Sequence, residues 1–208
     1  ISGKFFEKLR EGGRIALHTP LIFTALCMVG INSFFVRGVL EIQPAIIGQM
    51  LNGDSQALAI ATAAAGIGSL IASIWIGLGK LTVDFIRRCL FPMVLIGLFA
   101  TACLNLSGEI ISMSLLFVLT GFTATIGGIG AQTLIQLNVD ENYRARIMTW
   151  WSSISFGSLT LGGILIGFLG DLMPIDNAIG LVMIIGIALA LIAIRKLPLV
   201  RWWRPTSI

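Results

Sequence analysis

Arg37 and Glu41 stand inside an apolar run, Leu21 to Ile47, and on a helix residues four apart share one face. Ionised side chains in so apolar a segment are costly, and they ordinarily face each other, a neighbouring helix or a water-filled cavity. Two kinds of chemistry fit the pair. A guanidinium beside a carboxylate can hold a polar substrate, and the acid can exchange a proton when the cation is drawn away from it. Alternatively the two side chains snorkel to lipid headgroups as an interfacial anchor. At 1.5 Å per residue from Leu21, Arg37 falls roughly 24 Å and Glu41 about 30 Å along the helix, beyond its midpoint. Three amides also lie within apolar runs, Asn32 on this segment and Gln132 and Gln136 one turn apart on a later one. Each can either hydrogen-bond a substrate or tie two helices together, for under about 2 kcal/mol in lipid.

Enzyme chemistry has no support in the residue pattern. His18 is the single histidine, no GxSxG or Walker glycine loop occurs, and Gly66-x-Gly68 and Gly127-Gly128-x-Gly130 fall inside apolar segments that cannot cradle phosphate. Cys27, Cys89 and Cys103 lack metal spacing and disulfide patterning and read as small core residues. No cofactor, metal or nucleic-acid partner is expected.

The elements that must position these residues are membrane helices. Of 208 residues 56% are hydrophobic and 12% charged, and the mean hydropathy is +0.96, far from the balance of a soluble domain. Apolar segments run over Leu21 to Ile47, Ala57 to Leu78, Cys89 to Leu106, Ile110 to Leu137, Ile147 to Leu169 and Asn177 to Ile194, each near or above the roughly 20 residues that cross a bilayer. The expected fold is all-α: one polytopic domain of six transmembrane helices over 20–195, preceded by an amphipathic segment at 1–19 and followed by a tail at 196–208. The polar run Gln136 to Arg146 is too charged for hydrocarbon and is expected to be a hairpin tip. Thirteen of the 14 basic residues fall before the first helix, in the second and fourth links, or after the sixth, whereas the other links carry only Asp54, Glu109, Asp171 and Asp176. Basic links stay in the cytoplasm, so both termini are expected there. The five tryptophans gather on the same side as headgroup anchors. Small residues four apart, Ser69/Ser73/Gly77, Gly127/Ala131 and Gly163/Gly167, are expected at close helix contacts.

The run Asp140-Glu141-x-x-Arg144-x-Arg146-Ile-Met, followed by a small-residue helix closing on Gly167-x-x-Gly170-Asp171, resembles the link between the tenth and eleventh helices of major facilitator superfamily transporters, in the bacterial drug-exporter and enterobactin-exporter-like branch. Phe35-Val-Arg37-Gly38-Val-Leu-Glu41-Ile-Gln-Pro44 is similar to the seventh helix of that branch, and Glu11-Gly12-x-Arg14 to its entry. Gly77-x-Gly79-Lys80-x-x-x-Asp84-x-x-Arg87-Arg88 resembles the superfamily's Gly/Asp/Arg loop without its Asp-Arg adjacency. The resemblance covers nearly the whole chain and implies the C-terminal six-helix half of a twelve-helix architecture, whose other half, or a second copy, would supply the second wall of a central site. It implies proton-coupled export of amphiphilic drug-like or siderophore-like molecules across a bacterial inner membrane. It also implies a cytoplasmic latch at Asp84, Arg88, Arg144 and Arg146. The alternative is a non-transporting six-helix scaffold or subunit.

Overall fold

The computed structural model describes residues 2–53, 55–79 and 83–196, and among these every regular element is helical. Nine α-helices follow in chain order: α1 (Ser2–His18), α2 (Pro20–Ile31), α3 (Gly38–Glu41), α4 (Gln43–Leu51), α5 (Ser55–Leu78), α6 (Val83–Cys103), α7 (Ile110–Asn138), α8 (Glu141–Leu172) and α9 (Ile175–Lys196). A π-helical turn, Asn32–Arg37, joins α2 to α3, so that Pro20–Glu41 is one continuous span. With it, Ser55–Leu78, Arg88–Leu106, Ile110–Asn138, Glu141–Leu172 and Ile175–Ala193 are long and apolar enough to cross a membrane. The chain is a six-span membrane protein, and its expected tail beyond residue 196 lies outside the described residues, as do Asp54 and Lys80.

Prolines set the first boundaries. Thr19 is extended at φ −101°, ψ 102°, as a residue before proline prefers, and Pro20 opens α2 where its missing N–H costs nothing. Pro44 cannot donate to the carbonyl four residues back and would crowd it. The helix accordingly breaks at Ile42 (φ −102°, ψ 18°) and restarts as α4, so the expected Leu21 to Ile47 segment is two helices. Asn52, the one described non-glycine residue with positive φ (48°), ends α4 in the left-handed conformation that asparagine tolerates.

The charged hairpin tip is shorter than the sequence implies. Helix α7 runs on to Asn138 and α8 begins at Glu141, leaving only Val139 and Asp140 between them. Glu141 in the first turn suits the helix dipole, and the amides of Tyr143 and Arg144 both donate to the Asp140 carbonyl at 3.0 Å. Polar residues outside lipid still form good helix, so the helices carry the charges beyond the bilayer.

Close packing rests on two glycine contacts. A Cβ on Gly68 would collide with the Val118 carbonyl and one on Gly121 with the Ala65 carbonyl, which brings α5 and α7 backbone to backbone. Gly162 of α8 meets the Phe34 carbonyl in the same way, with Gly38 stacked beside it. The buried stripe on α5 is Ala61, Ala64, Gly68 and Ala72, one position off the expected stripe. Of that expected set, Ser69 donates to the Gly121 carbonyl at 3.3 Å and Ala131 is buried, whereas Gly77 and Gly167 face open space.

Candidate functional site

The first span passes through the centre of the bundle, with Val29, Asn32, Ser33 and Val36 fully enclosed. Its π-turn changes the angular step, and π-turns of this kind often mark functional sites. Arg37 ends that turn. Its Nη1 donates to Ser155 Oγ of α8 at 3.0 Å, Ser155 Oγ lies 3.3 Å from Ser33 Oγ, and the guanidinium stands 6.0 Å from the centre of the Phe156 ring. Ser155 is itself fully buried. Counted along α8 from Glu141, it lies about 21 Å in, which puts the guanidinium near mid-bundle.

A cavity of about 430 Å³ opens beside Arg37, walled by Glu41, Ser69, Thr125, Gln132, Trp151 and Phe156, with Leu40, Ala124, Gly128 and Ile129. Four spans contribute, the first, α5, α7 and α8. Arg37 and Glu41 therefore share one cavity, but no ion pair within 4.0 Å joins them among the described residues. Glu41 is the last residue of α3 and is exposed, one residue before the break.

The energetics of the half-buried Arg37 cation nearly balance. A central arginine costs about 2.5–3.5 kcal/mol on insertion scales. One charge-assisted hydrogen bond returns about 1.5–3 kcal/mol, and an aromatic face about 0.5–1 kcal/mol. Arginine has five N–H donors, and Ser155 is the sole hydrogen-bond partner of Arg37 among the described residues. The remaining donors are available to a ligand in the cavity.

The amides separate. Gln132 lines the cavity. Asn32 does not: it is fully buried in a notch that Gly127 leaves, where an added Cβ would lie 2.7 Å from its amide carbon, and its Nδ2 donates to the Ala124 carbonyl at 3.1 Å. It ties the first span to α7, with Oδ1 unpartnered. Gln136 is exposed, outside the cavity.

The latch candidates separate too. Arg146 pairs with Glu11 of α1 and stands 5.5 Å from the Tyr143 ring centre, so its partner lies within this chain. Gly12 packs on the Arg146 Cβ and Gly13 on the Trp150 ring, docking α1 onto the start of α8. Arg88 and Arg144 are exposed; the side chain of Asp84 lies outside the described residues. His18 is exposed and its Nδ1 lies 2.9 Å from the Arg14 carbonyl, a local bond. The three cysteines are free.

Sequence reasoning missed Ser155, Phe156, Ser69, Thr125 and the cavity role of Trp151. Serines on a long apolar helix carry no sign of which one faces a cation across the bundle. Trp151 was expected as a headgroup anchor, yet it lines the cavity and its indole N–H is buried without a partner.

Fold and site together define a six-span membrane protein with an open, arginine-bearing cavity of mixed polar and apolar lining. In comparisons with known proteins, no family model, no curated protein and no solved structure matches the chain.

Proposed function

We propose that this chain is the C-terminal six-helix half of a secondary active transporter of the major facilitator type, exporting an amphiphilic small molecule in exchange for protons. The observation that carries the reading is the Arg37 guanidinium at the wall of a cavity near mid-bundle, with a single hydrogen-bond partner among the described residues. Unmatched donors at that depth suit a ligand with acceptor oxygens, and transporters of this architecture bind substrate near the midplane between two halves. Glu41, on the same cavity, supplies a group that can take up and release a proton. The motif resemblance around Arg37, Glu41 and Arg144-x-Arg146 supports the same assignment, with both termini in the cytoplasm of a bacterial inner membrane.

The test uses the chain joined to its partner half in liposomes under an imposed proton gradient, with a fluorescent amphiphile inside. Glu41→Gln is expected to abolish gradient-driven efflux while leaving substrate binding, and Arg37→Ala to weaken both. Normal gradient-driven efflux by Glu41→Gln would reassign the coupling group and remove the role proposed for the pair. The rival reading, a six-helix scaffold, predicts that neither substitution changes any flux.

A further inference from the structure

A second cavity, independent of the transport reading, opens at the end of the bundle that bears α1. It measures about 1260 Å³ and shares no residue with the Arg37 cavity. Its walls are almost wholly apolar: Phe23, Cys27 and Phe34 from the first span, Ile154 from α8, and Leu189 and Ile192 from α9. Its mouth is basic. Arg10 and Arg14, one helical turn apart on α1, both line it and both are exposed. Glu11, the acid between them in sequence, is held by Arg146. Among the described residues no acid pairs with Arg10 or Arg14.

We infer that this groove binds an anionic phospholipid, its phosphate between Arg10 and Arg14 and an acyl chain laid over Cys27 toward Leu189 and Ile192. Charge complementarity selects this occupant. An apolar slot alone would take any hydrocarbon, but two guanidinium groups at its mouth, with no acid paired to them among the described residues, favour an anion, and basic pockets between spans are established headgroup sites. Leu17 at the rim and Leu189 and Ile192 on α9 are exposed, so the slot lies open toward the surrounding lipid from which a chain would enter. Because Gly12 and Gly13 seat α1 on α8, the two arginines are held over the slot, and no induced folding is needed to form the site.

The purified chain in mild detergent, titrated with an equimolar mixture of dioleoylphosphatidylglycerol and dioleoylphosphatidylcholine, is read by native mass spectrometry. One phosphatidylglycerol is expected to be retained with a preference of about 30-fold, the ratio that two basic residues at about 1 kcal/mol each provide. Arg10→Gln/Arg14→Gln is expected to reduce the preference to near unity, whereas Arg10→Lys/Arg14→Lys keeps most of it. Leu189→Trp fills the slot from exposed α9 and is expected to lower retention of both lipids without unfolding the chain; Cys27→Trp checks the same point from the floor. Equal retention of the two lipids by the unmodified chain overturns the inference, as does a preference that survives the double glutamine variant. A groove whose filling leaves lipid retention intact while converting a dimer to a monomer is a protein interface, and that outcome overturns it as well.

Discussion

Arg37 offers five N–H donors and meets one acceptor among the described residues, so the residue that holds it is as informative as the cation itself. Ser155→Ala removes a bond to a charged group and is expected to cost about 1.5–3 kcal/mol, whereas Ser33→Ala removes a longer neutral contact and is expected to cost about 0.5–1 kcal/mol. Equilibrium unfolding in mixed micelles measures both, and equal costs would mean that Ser155 does not anchor the guanidinium. Arg37→Lys is not a conservative change, because an ammonium lacks the planar fork and the diffuse charge that suit the Phe156 face. The cation was legible in the sequence because an ionised residue among apolar neighbours stands out by type. Its partner was not, since Ser155 differs in no local respect from Ser152 or Ser153.

Among the elements, the backbone contacts decide which small residues matter. Gly68→Val would drive a side chain into the Val118 carbonyl, while a side chain on Gly77 would enter open space. Gly68→Val is therefore expected to cost about 3 kcal/mol or more, as severe overpacking does, and Gly77→Val less than about 1 kcal/mol. Similar losses at both positions would refute the assignment of α5 packing to the Ala61, Ala64, Gly68, Ala72 stripe. The same reasoning separates two of the contacts that hold α1 on α8. Glu11 and Arg146 are partly solvated, and such pairs are worth about 0–1 kcal/mol, whereas Gly12 and Gly13 abut α8 directly. Gly12→Leu is expected to free α1 and Glu11→Gln to leave it docked, with amide exchange across α1 as the readout; release by Glu11→Gln alone would reverse that ranking. The six spans were legible from apolar length, whereas the break at Ile42 was not drawn in the expected Leu21 to Ile47 segment, because the apolar run continues through Pro44 although proline's missing N–H interrupts the helix there. The π-turn was not, because one extra residue in a turn leaves no mark on the types in Asn-Ser-Phe-Phe-Val-Arg. The α5 stripe was missed by one position because small residues crowd that helix on several faces.

For the whole molecule, burial is unequal in a way that bears on the second wall proposed for the Arg37 cavity. In the first span 67% of the most apolar window is buried inside the bundle, against 22% for Ser55–Leu78 and 17% for Glu141–Leu172. The two least buried spans, α5 and α8, both contribute to the Arg37 cavity. A lipid-facing helix is also exposed, but these two flank a cavity that holds Arg37, Glu41 and Gln132, polar groups that hydrocarbon would leave without partners. The sequence could place Arg37 inside a span, but the cavity's other wall, if it is supplied by another half or copy, lies beyond this chain.

Orientation and completeness then give linked expectations for the whole chain. With 13 of 14 basic residues in the terminal segments and the second and fourth links, single cysteines at Asn52 and Asn105 in a background lacking Cys27, Cys89 and Cys103 are expected to react with an impermeant maleimide on intact cells. One at Asn142 is expected to react only after permeabilisation, and the opposite pattern would invert the topology. The same cavity argument predicts that the chain by itself, reconstituted in liposomes with a proton gradient, moves no amphiphile, because one wall cannot occlude a substrate from both sides. Self-association is the route around that prediction, since a second copy could supply the proposed second wall. Cross-linking from an Asn142 cysteine therefore has to accompany the flux measurement. Flux from cross-linked dimers would identify the second copy as the partner, and flux from monomers would show that six helices suffice and that the exposed faces of α5 and α8 meet only lipid.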